Sequence, residues 1–459
     1  MVTALEYAQA NRERFLKQWE DLVRIPSVGT DPAHAEDTRR AAEWLAEDMR
    51  RIGLHNVEVA PTGGNPVVYG EWLGAGANAP TVLIYAHYDV QPAVKEDGWD
   101  TEPFEPTRKD GKIYARGIAD DKSHSVMVLK AAECYLKSDT PCPINLKFLL
   151  EGEEESGSPN LGGWVRQNAQ RLKADYCFIA DGGISSADQP DITYALRGIL
   201  AMEFTVRGPK TDLHSGLHGG RVHNPAQVIA EMVAKLHTED GKVAVPGFYD
   251  DVRPLTDRER AEFNKGDMTR EQWEHEVGAP QPWGEAGYTL VERATARPTL
   301  EINGISGGYA GKGTKTVIPA QAFAKITCRL VDNQKPAKIA AQISDYLRKI
   351  APPTVKLDIR IFAQADPVTV AIDSAPVQAL ARAFQQRWET EPLYRRSGGS
   401  IPIVSVFQEE LKTPSVLLGF ALTDAGVHGP NEHYHIDLFY RGLDTVITLF
   451  NEIASAKRA

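Results

Sequence analysis

Apolar and polar positions along the chain fall into two rhythms. Over "AEDTRRAAEWLAEDMRRIG" apolar residues recur every three to four positions and the run stops at Gly53, which predicts an amphipathic helix. "NVEVA", "PVVYGEWLG" and "PTVLIYAH" then read as strands, "SHSVMVLKAAECYLKS" as a helix, and "INLKFLL" and "DYCFIAD" as buried strands. Helices and strands mixed in this order predict an α/β sandwich around a mixed sheet. From about Arg197 the texture changes. "GILAMEFTVRG" and "AQAFAKITCRLV" alternate as half-exposed strands, and "NPAQVIAEMVAKLH" lies between them as an amphipathic helix, so a smaller α+β domain is expected there. Residues 238–298, rich in charge, Pro and Trp, read as short helices elaborating it. The helix "APVQALARAFQQRW", the strand "PSVLLGF" and the helix "RGLDTVITLFNEIASAKR" resume the first texture. The second domain (194–369) is therefore expected to be inserted between the two parts, 1–193 and 370–459, of the first. The N-terminal "MVTALEYAQANRERFLKQWEDLVRIPS" reads as one charged amphipathic helix pattern.

Composition narrows the function classes. A 459-residue chain with 42% hydrophobic and 25% charged residues is globular and long enough for two domains. Its formal net charge of −11 argues against nucleic acid or an anionic membrane as partner, because phosphate binding wants a basic surface. Cys134, Cys142, Cys177 and Cys328 lack CxxC spacing and read as reduced core residues. The N-terminal segment lacks the apolar stretch of a signal peptide, and no long apolar run occurs, so a cytoplasmic location is the expectation.

Five places along the chain then need explaining. "YAHYDVQPA" ends an apolar strand on His87 and Asp89; "ARGIADDKSHS" sets Asp120 and Asp121 before a helix; "LLEGEEESGS" crowds glutamates after a buried strand; "FIADGG" ends a strand on Asp181; "DAGVHGPNEHYHI" carries His428 in a loop. Singly, each has a bland reading: a helix cap, a solvated acidic loop, an Asp-Gly turn, a surface histidine. Together they put acids and imidazoles at strand ends, where α/β sheets build sites and where packed carboxylates repel unless cations neutralise them. The set fits two divalent cations. Asp120 would bridge, with His87 and Asp181 on one ion and Glu155 and His428 on the other. Three carboxylates and a bridging hydroxide then balance two Zn²⁺. Imidazole and carboxylate ligands without thiolate suit Zn²⁺ first, with Mn²⁺ or Co²⁺ as alternatives. Asp89, two residues from His87, would orient its ring, and Glu154, left over beside Glu155, would be the general base and acid.

These residues resemble the dinuclear zinc peptidases related to carnosinase, cytosolic nonspecific dipeptidase, succinyl-diaminopimelate desuccinylase, acetylornithine deacetylase and glutamate carboxypeptidase. "YAHYDVQP", "RGIADDKS", "EGEEESGS", "FIADGG", "DLHSGLHGG", "TVIPA", "CRLV", "GGSIP" and "VHGPNE" stand in that family's order, over about residues 10 to 450. The resemblance implies a catalytic α/β domain, an inserted lid domain through which two chains form a homodimer, and a cis peptide after Asp120. It also implies that His214 reaches the partner's site to polarise the scissile carbonyl. Arg329 and Ser400, with Thr316 and the Gly399 backbone, would hold the substrate carboxylate. The sequence departs from the family at Ser123, where a small residue is usual, and at His218 and His223 in the lid motif.

The function expected on this basis is metal-dependent hydrolysis of dipeptides or short peptides with a free C-terminal carboxylate. An N-acyl-amino-acid amidohydrolase is the alternative, and a non-catalytic scaffold on a peptidase fold a third reading, disfavoured because Glu154 and every inferred ligand are present.

Overall fold

A computed structural model describes residues 1–265, 269–399 and 401–456. By its internal contacts the chain divides into two compact units. One comprises Met1–Tyr194, Val370–Arg395 and Val406–Ala459; the other comprises Ala195–Thr369 and Arg396–Ser405.

The first unit is built on a six-stranded mixed sheet in the order His55–Ala60, Val67–Trp72, Asn145–Glu151, Thr81–His87, Tyr176–Ala180, Ser415–Leu418. The first three strands pair antiparallel and the last four parallel, with Asn145–Glu151 belonging to both groups. Central strands are buried on both faces, which is why "INLKFLL" and "PTVLIYAH" are largely apolar and lack an exposed, polar face. The parallel strands point the same way, so His87, Glu151 and Asp181 emerge together at one end of the sheet, where such sheets hold their ligands. Helix Lys122–Leu136 is buried along all but its last residue. Even Lys122 is inside, its Nζ donating to the carbonyls of Leu22 (3.2 Å) and Ile25 (2.6 Å). A helix buried on every side is a core element even where it carries polar residues, and this one fixes the position of the Asp120–Asp121 turn that precedes it.

The second unit is a four-stranded antiparallel sheet in the order Thr299–Gly307, Gln321–Leu330, Gly198–Arg207, Lys356–Ala365. Burial alternates along Gly198–Arg207 and Gln321–Leu330. Their inward residues, among them Phe204 and Ile326, share a core with Val228 and Ile229 of helix Pro225–Ala234 and Ile343 and Leu347 of helix Pro336–Ile350.

Two features depart from the sequence reading. The N-terminal helical pattern is two helices, Ala4–Ala10 and Arg12–Val23, because Asn11 leaves helical geometry and its Nδ2 donates to the Tyr7 carbonyl at 2.8 Å. The segment Arg396–Ser405, read from its texture as part of the first domain, groups with the second unit. Buried Arg396 holds it there through Asp332 (2.8 Å) and Glu259 (2.6 Å). No helix among the described residues is long and apolar enough to cross a membrane.

Candidate active site

At the end of the parallel strands Asp120 presents one carboxylate oxygen to each of two imidazoles: Oδ1 lies 3.0 Å from His87 Nε2 and Oδ2 lies 3.1 Å from His428 Nε2. Asp181 Oδ1 lies 4.0 Å from His87 Nε2, and Glu155 Oε2 lies 3.1 Å from His428 Nε2. Two ligand groups result, His87–Asp120–Asp181 and Asp120–Glu155–His428, within each of which one ligand atom per residue lies within 4.8 Å of the others. The donor chemistry suits divalent cations: oxygen and imidazole nitrogen, no sulfur, and more carboxylates than imidazoles. The Asp120–Asp121 peptide is cis. His428 sits on a left-handed backbone position (φ 63°) in its loop, and its ring is half exposed.

His87 and the Glu154–Glu155 turn are held by other groups. His87 Nδ1 lies 3.1 Å from the Asp89 carbonyl and 3.4 Å from Asp89 Oδ1, which leaves Nε2 to face Asp120. The Asp89 carboxylate also accepts the Glu154 and Glu155 amides, both at 3.1 Å, so one buried side chain ties the His87 strand end to the turn carrying the two glutamates. Gly29 approaches Asp89 so closely that an added Cβ would lie 2.5 Å from its Oδ2.

Burial and mutual repulsion shape the charges. Burial pushes Asp181 well above the usual carboxylate range, with Asp121 and Asp120 adding to the effect against the pull of His87. Glu154 is raised by burial too, against His87 and with Glu155 and Asp120 adding repulsion. Asp120 resists its own burial and is held far below that range by its hydrogen bonds to His428 and His87. His428 is lifted to about 10 by Asp120 and Glu155. Without cations, the imidazoles serve as the site's counter-charges.

Three neighbours to which the sequence reading gave no role in the site complete the support. Gln91 Nε2 donates to Glu155 Oε2 at 2.7 Å. Asp121 accepts the His87 amide at 3.1 Å and pairs with Nδ1 of buried His124. Glu432, fully buried, accepts from Arg116 Nη1 (2.7 Å) and from the amides of Gly117 (2.9 Å), Ala119 (2.8 Å) and Asp120 (3.1 Å). It joins the loop after His428 to the loop that ends at Asp120. The available signal was an acid at the end of "VHGPNE", which reads as an ordinary loop glutamate until its partners are known.

The remaining candidates lie in the second unit. His214 is exposed and caps the short helix Ser215–His218, its Nδ1 accepting the Gly216 amide at 3.0 Å. Exposed Thr316 accepts the Ser215 amide through its carbonyl at 3.0 Å. Arg329 is on strand Gln321–Leu330 beside Arg197, whose guanidinium is brought down to about 10 by burial and by this second positive charge. Arg197 donates from its amide to the Gly399 carbonyl (3.2 Å) and from Nε to the Gly398 carbonyl (3.0 Å). Arg197, to which the sequence reading gave no role, therefore holds the Gly398–Gly399 backbone, with Arg329 as its charged neighbour. Ser400 lies outside the described residues.

Parallel strands that end on acids and an imidazole, with two ligand groups sharing one aspartate, are the equipment of a metal-dependent hydrolase. The chain belongs to Peptidase family M20/M25/M40, which it matches over residues 83–452. It is 31% identical to the Cys-Gly metallodipeptidase dug1 of Schizosaccharomyces pombe, over 98% of both chains. Among solved structures, human carnosine dipeptidase 1 superposes with a TM-score of 0.80 at 29% identity, covering 98% of each chain. The M20 family metallo-carboxypeptidase Sso-CP2 of Sulfolobus solfataricus superposes with a TM-score of 0.84 at 31% identity, covering 96% of this chain and 99% of that one.

Proposed function

We propose that this protein is a dipeptidase that uses two divalent cations, Zn²⁺ in the first instance, to hydrolyse dipeptides carrying a free C-terminal carboxylate. The observation that carries the reading is Asp120, one oxygen toward His87 and the other toward His428, with Asp181 and Glu155 completing the two ligand groups. When bound, the cations polarise the scissile carbonyl and make a water nucleophilic near neutral pH. Glu154 takes the proton from that water and returns it to the leaving amine, a role served by a carboxyl whose burial makes it more basic. Asp89 keeps His87 and the Glu154–Glu155 turn in register. Arg329, with Arg197 beside it and the Gly399 backbone, Thr316 and Ser400 near in function, holds the substrate carboxylate. His214 donates to the developing oxyanion from the partner chain of a homodimer formed through the inserted domain. The curated relative and the human structure are named as dipeptidases, which supports the dipeptide assignment.

The likeness to a metallo-carboxypeptidase supports a second reading, release of C-terminal residues from longer peptides. After loading with Zn²⁺ or Mn²⁺, purified protein is assayed on dipeptides, on tri- to pentapeptides and on N-acetyl and N-succinyl amino acids. Turnover concentrated on the dipeptides supports the proposal. Preference for the longer peptides transfers the assignment to a carboxypeptidase, and preference for the acylated amino acids to an amidohydrolase.

A further inference from the structure

Immediately after the His428 loop the chain forms the short strand His433–His435, paired antiparallel with Lys112–Tyr114. Alternation along a strand sends His433 and His435 to the same face while Tyr434 turns into the core, where it is 2% exposed. The two rings lie with centroids 6.1 Å apart. Asp424, at the other end of the loop, joins them: one ligand atom from each of Asp424, His433 and His435 lies within 4.8 Å of the other two. These three residues line a hollow with Phe420, Leu422 and Leu438 that is too small for an organic ligand.

Two details separate this cluster from an ordinary polar surface. His433 Nδ1 lies 3.1 Å from the Asn431 carbonyl, so it carries the proton and leaves Nε2 with its lone pair outward, the arrangement of an imidazole prepared to ligate. His435 Nε2 is buried and has no hydrogen-bond partner among the described residues, and an orphaned buried nitrogen calls for a water or an ion. Facing His433 Nε2 at 2.9 Å is the Lys112 ammonium, a cation already resting against the nitrogen a metal would take.

We propose that Asp424, His433 and His435 form a third cation site, peripheral to the two ligand groups at Asp120, for an imidazole-preferring first-row divalent ion, with Lys112 as the resident competitor that the ion displaces. Two imidazoles and a carboxylate leave open coordination positions for water, and neither carbonyl-rich nor all-oxygen chemistry is present to favour Mg²⁺ or Ca²⁺. The site has a structural purpose legible in its positions. Its ligands stand at both ends of the loop that contains His428 and Glu432, so a bound ion fastens that loop at its base. No ligand of this site belongs to the Asp120 groups, and the inference stands apart from the dipeptidase reading.

The test counts metal. Full-length protein is equilibrated in a zinc-buffered solution, separated from free ion and measured by elemental analysis, with hydrogen exchange of the loop followed in parallel. Three zinc ions per chain are expected for wild type, two for His435→Ala and for the milder Asp424→Asn, and one for Asp120→Ala. Lys112→Met, which removes the competing charge, is expected to tighten the third zinc by about tenfold. At equal occupancy of the Asp120 groups, exchange across residues 425–432 is expected to be slower in wild type than in His435→Ala and Asp424→Asn. Wild type and His435→Ala with the same zinc content, or no response to Lys112→Met, overturns the proposal. Failure of the dinuclear assignment has a different signature: Asp120→Ala then matches wild type while His435→Ala still loses an ion.

Discussion

The first unit contains two buried clusters of charge that differ in one respect. Around Lys130 the charges close among the protein's own residues. Its Nζ sits 2.7 Å from Asp48 and 3.2 Å from Glu133, and Arg51 (2.9 Å) and Arg14 (2.6 Å) complete the shell of Glu133. Three cations meet two carboxylates, and Glu133, despite its burial, is brought down to about 2 by Arg51, Lys130 and Arg14. Around Asp120 the balance is open. Asp120, Asp181, Glu154 and Glu155 share two imidazoles, and burial leaves Asp181 and Glu154 raised. Burying charge is costly in both places, but only the second cluster depends on charge from outside the chain. A closed cluster holds a fold together; an open one of this donor type is a place for a ligand.

Paired substitutions break that comparison most sharply. Glu154→Gln is expected to keep both metals and lose about 10² to 10⁴ in turnover, whereas Glu133→Gln keeps activity within a few-fold. Metal analysis with steady-state kinetics reads both, and a Glu154→Gln enzyme as active as wild type would remove it from the proton path. His214→Ala is next, with about 10² to 10³ lost. If it serves the partner's site, a mixed dimer of His214→Ala and Glu154→Gln chains has one complete site and regains about half the wild-type activity; dead mixed dimers confine His214 to its own subunit. Lys130→Met leaves Asp48 and Glu133 partly uncompensated and is expected to cost about 3 to 5 kcal/mol of stability in denaturant melts, with metal content unchanged. A loss below about 1 kcal/mol would mean that the two arginines suffice.

The open cluster was more legible in the sequence than the closed one. Buried parallel strands are almost uniformly apolar, so charged residues at their ends, His87 and Asp181, stand out against the run, and the five inferred ligands could be gathered by position alone. Lys130 and Glu133 sit inside the helix Lys122–Leu136 and Asp48 inside Ala35–Ile52 at helical spacing, where a charge reads as solvent-facing until the packing is known. The same blindness hid Glu432, whose importance is in the four donors it meets and not in its neighbours along the chain. It also hid the attachment of Arg396 to Glu259 and Asp332, distant in sequence. Strand order, likewise, follows from tertiary pairing that the rhythm of single strands does not encode.

The smallest expected effect, and the one that sets the two clusters directly against each other, is the pH dependence of stability with and without metal. Glu133 has a folded value of about 2 against an ordinary 4.5, so its contribution is present above about pH 4.5 and is lost as pH falls toward 2, at most about 3 kcal/mol. Apart from Asp120, which its bonds to His428 and His87 hold low and which titrates with the acid limb, the open cluster has the opposite sign once stripped of cations. Asp181 and Glu154 are raised above their unfolded values, as are His87, through Asp120 and Asp89 in spite of burial, and His428, to about 10. Groups raised in this way stabilise the fold below their unfolded values and cease to do so as pH rises through the folded ones. Chelator-treated protein is therefore expected to lose stability steadily between about pH 5 and pH 9, while the loaded protein, whose carboxylates face cations in place of protons, stays level over that range. Glu133→Gln should make the acid limb shallower in both forms and leave the alkaline slope of the stripped protein intact. Urea melts across the pH range measure all four curves, and a stripped protein whose stability is level or rising above pH 5 would show that the acids at Asp120 are balanced without metal.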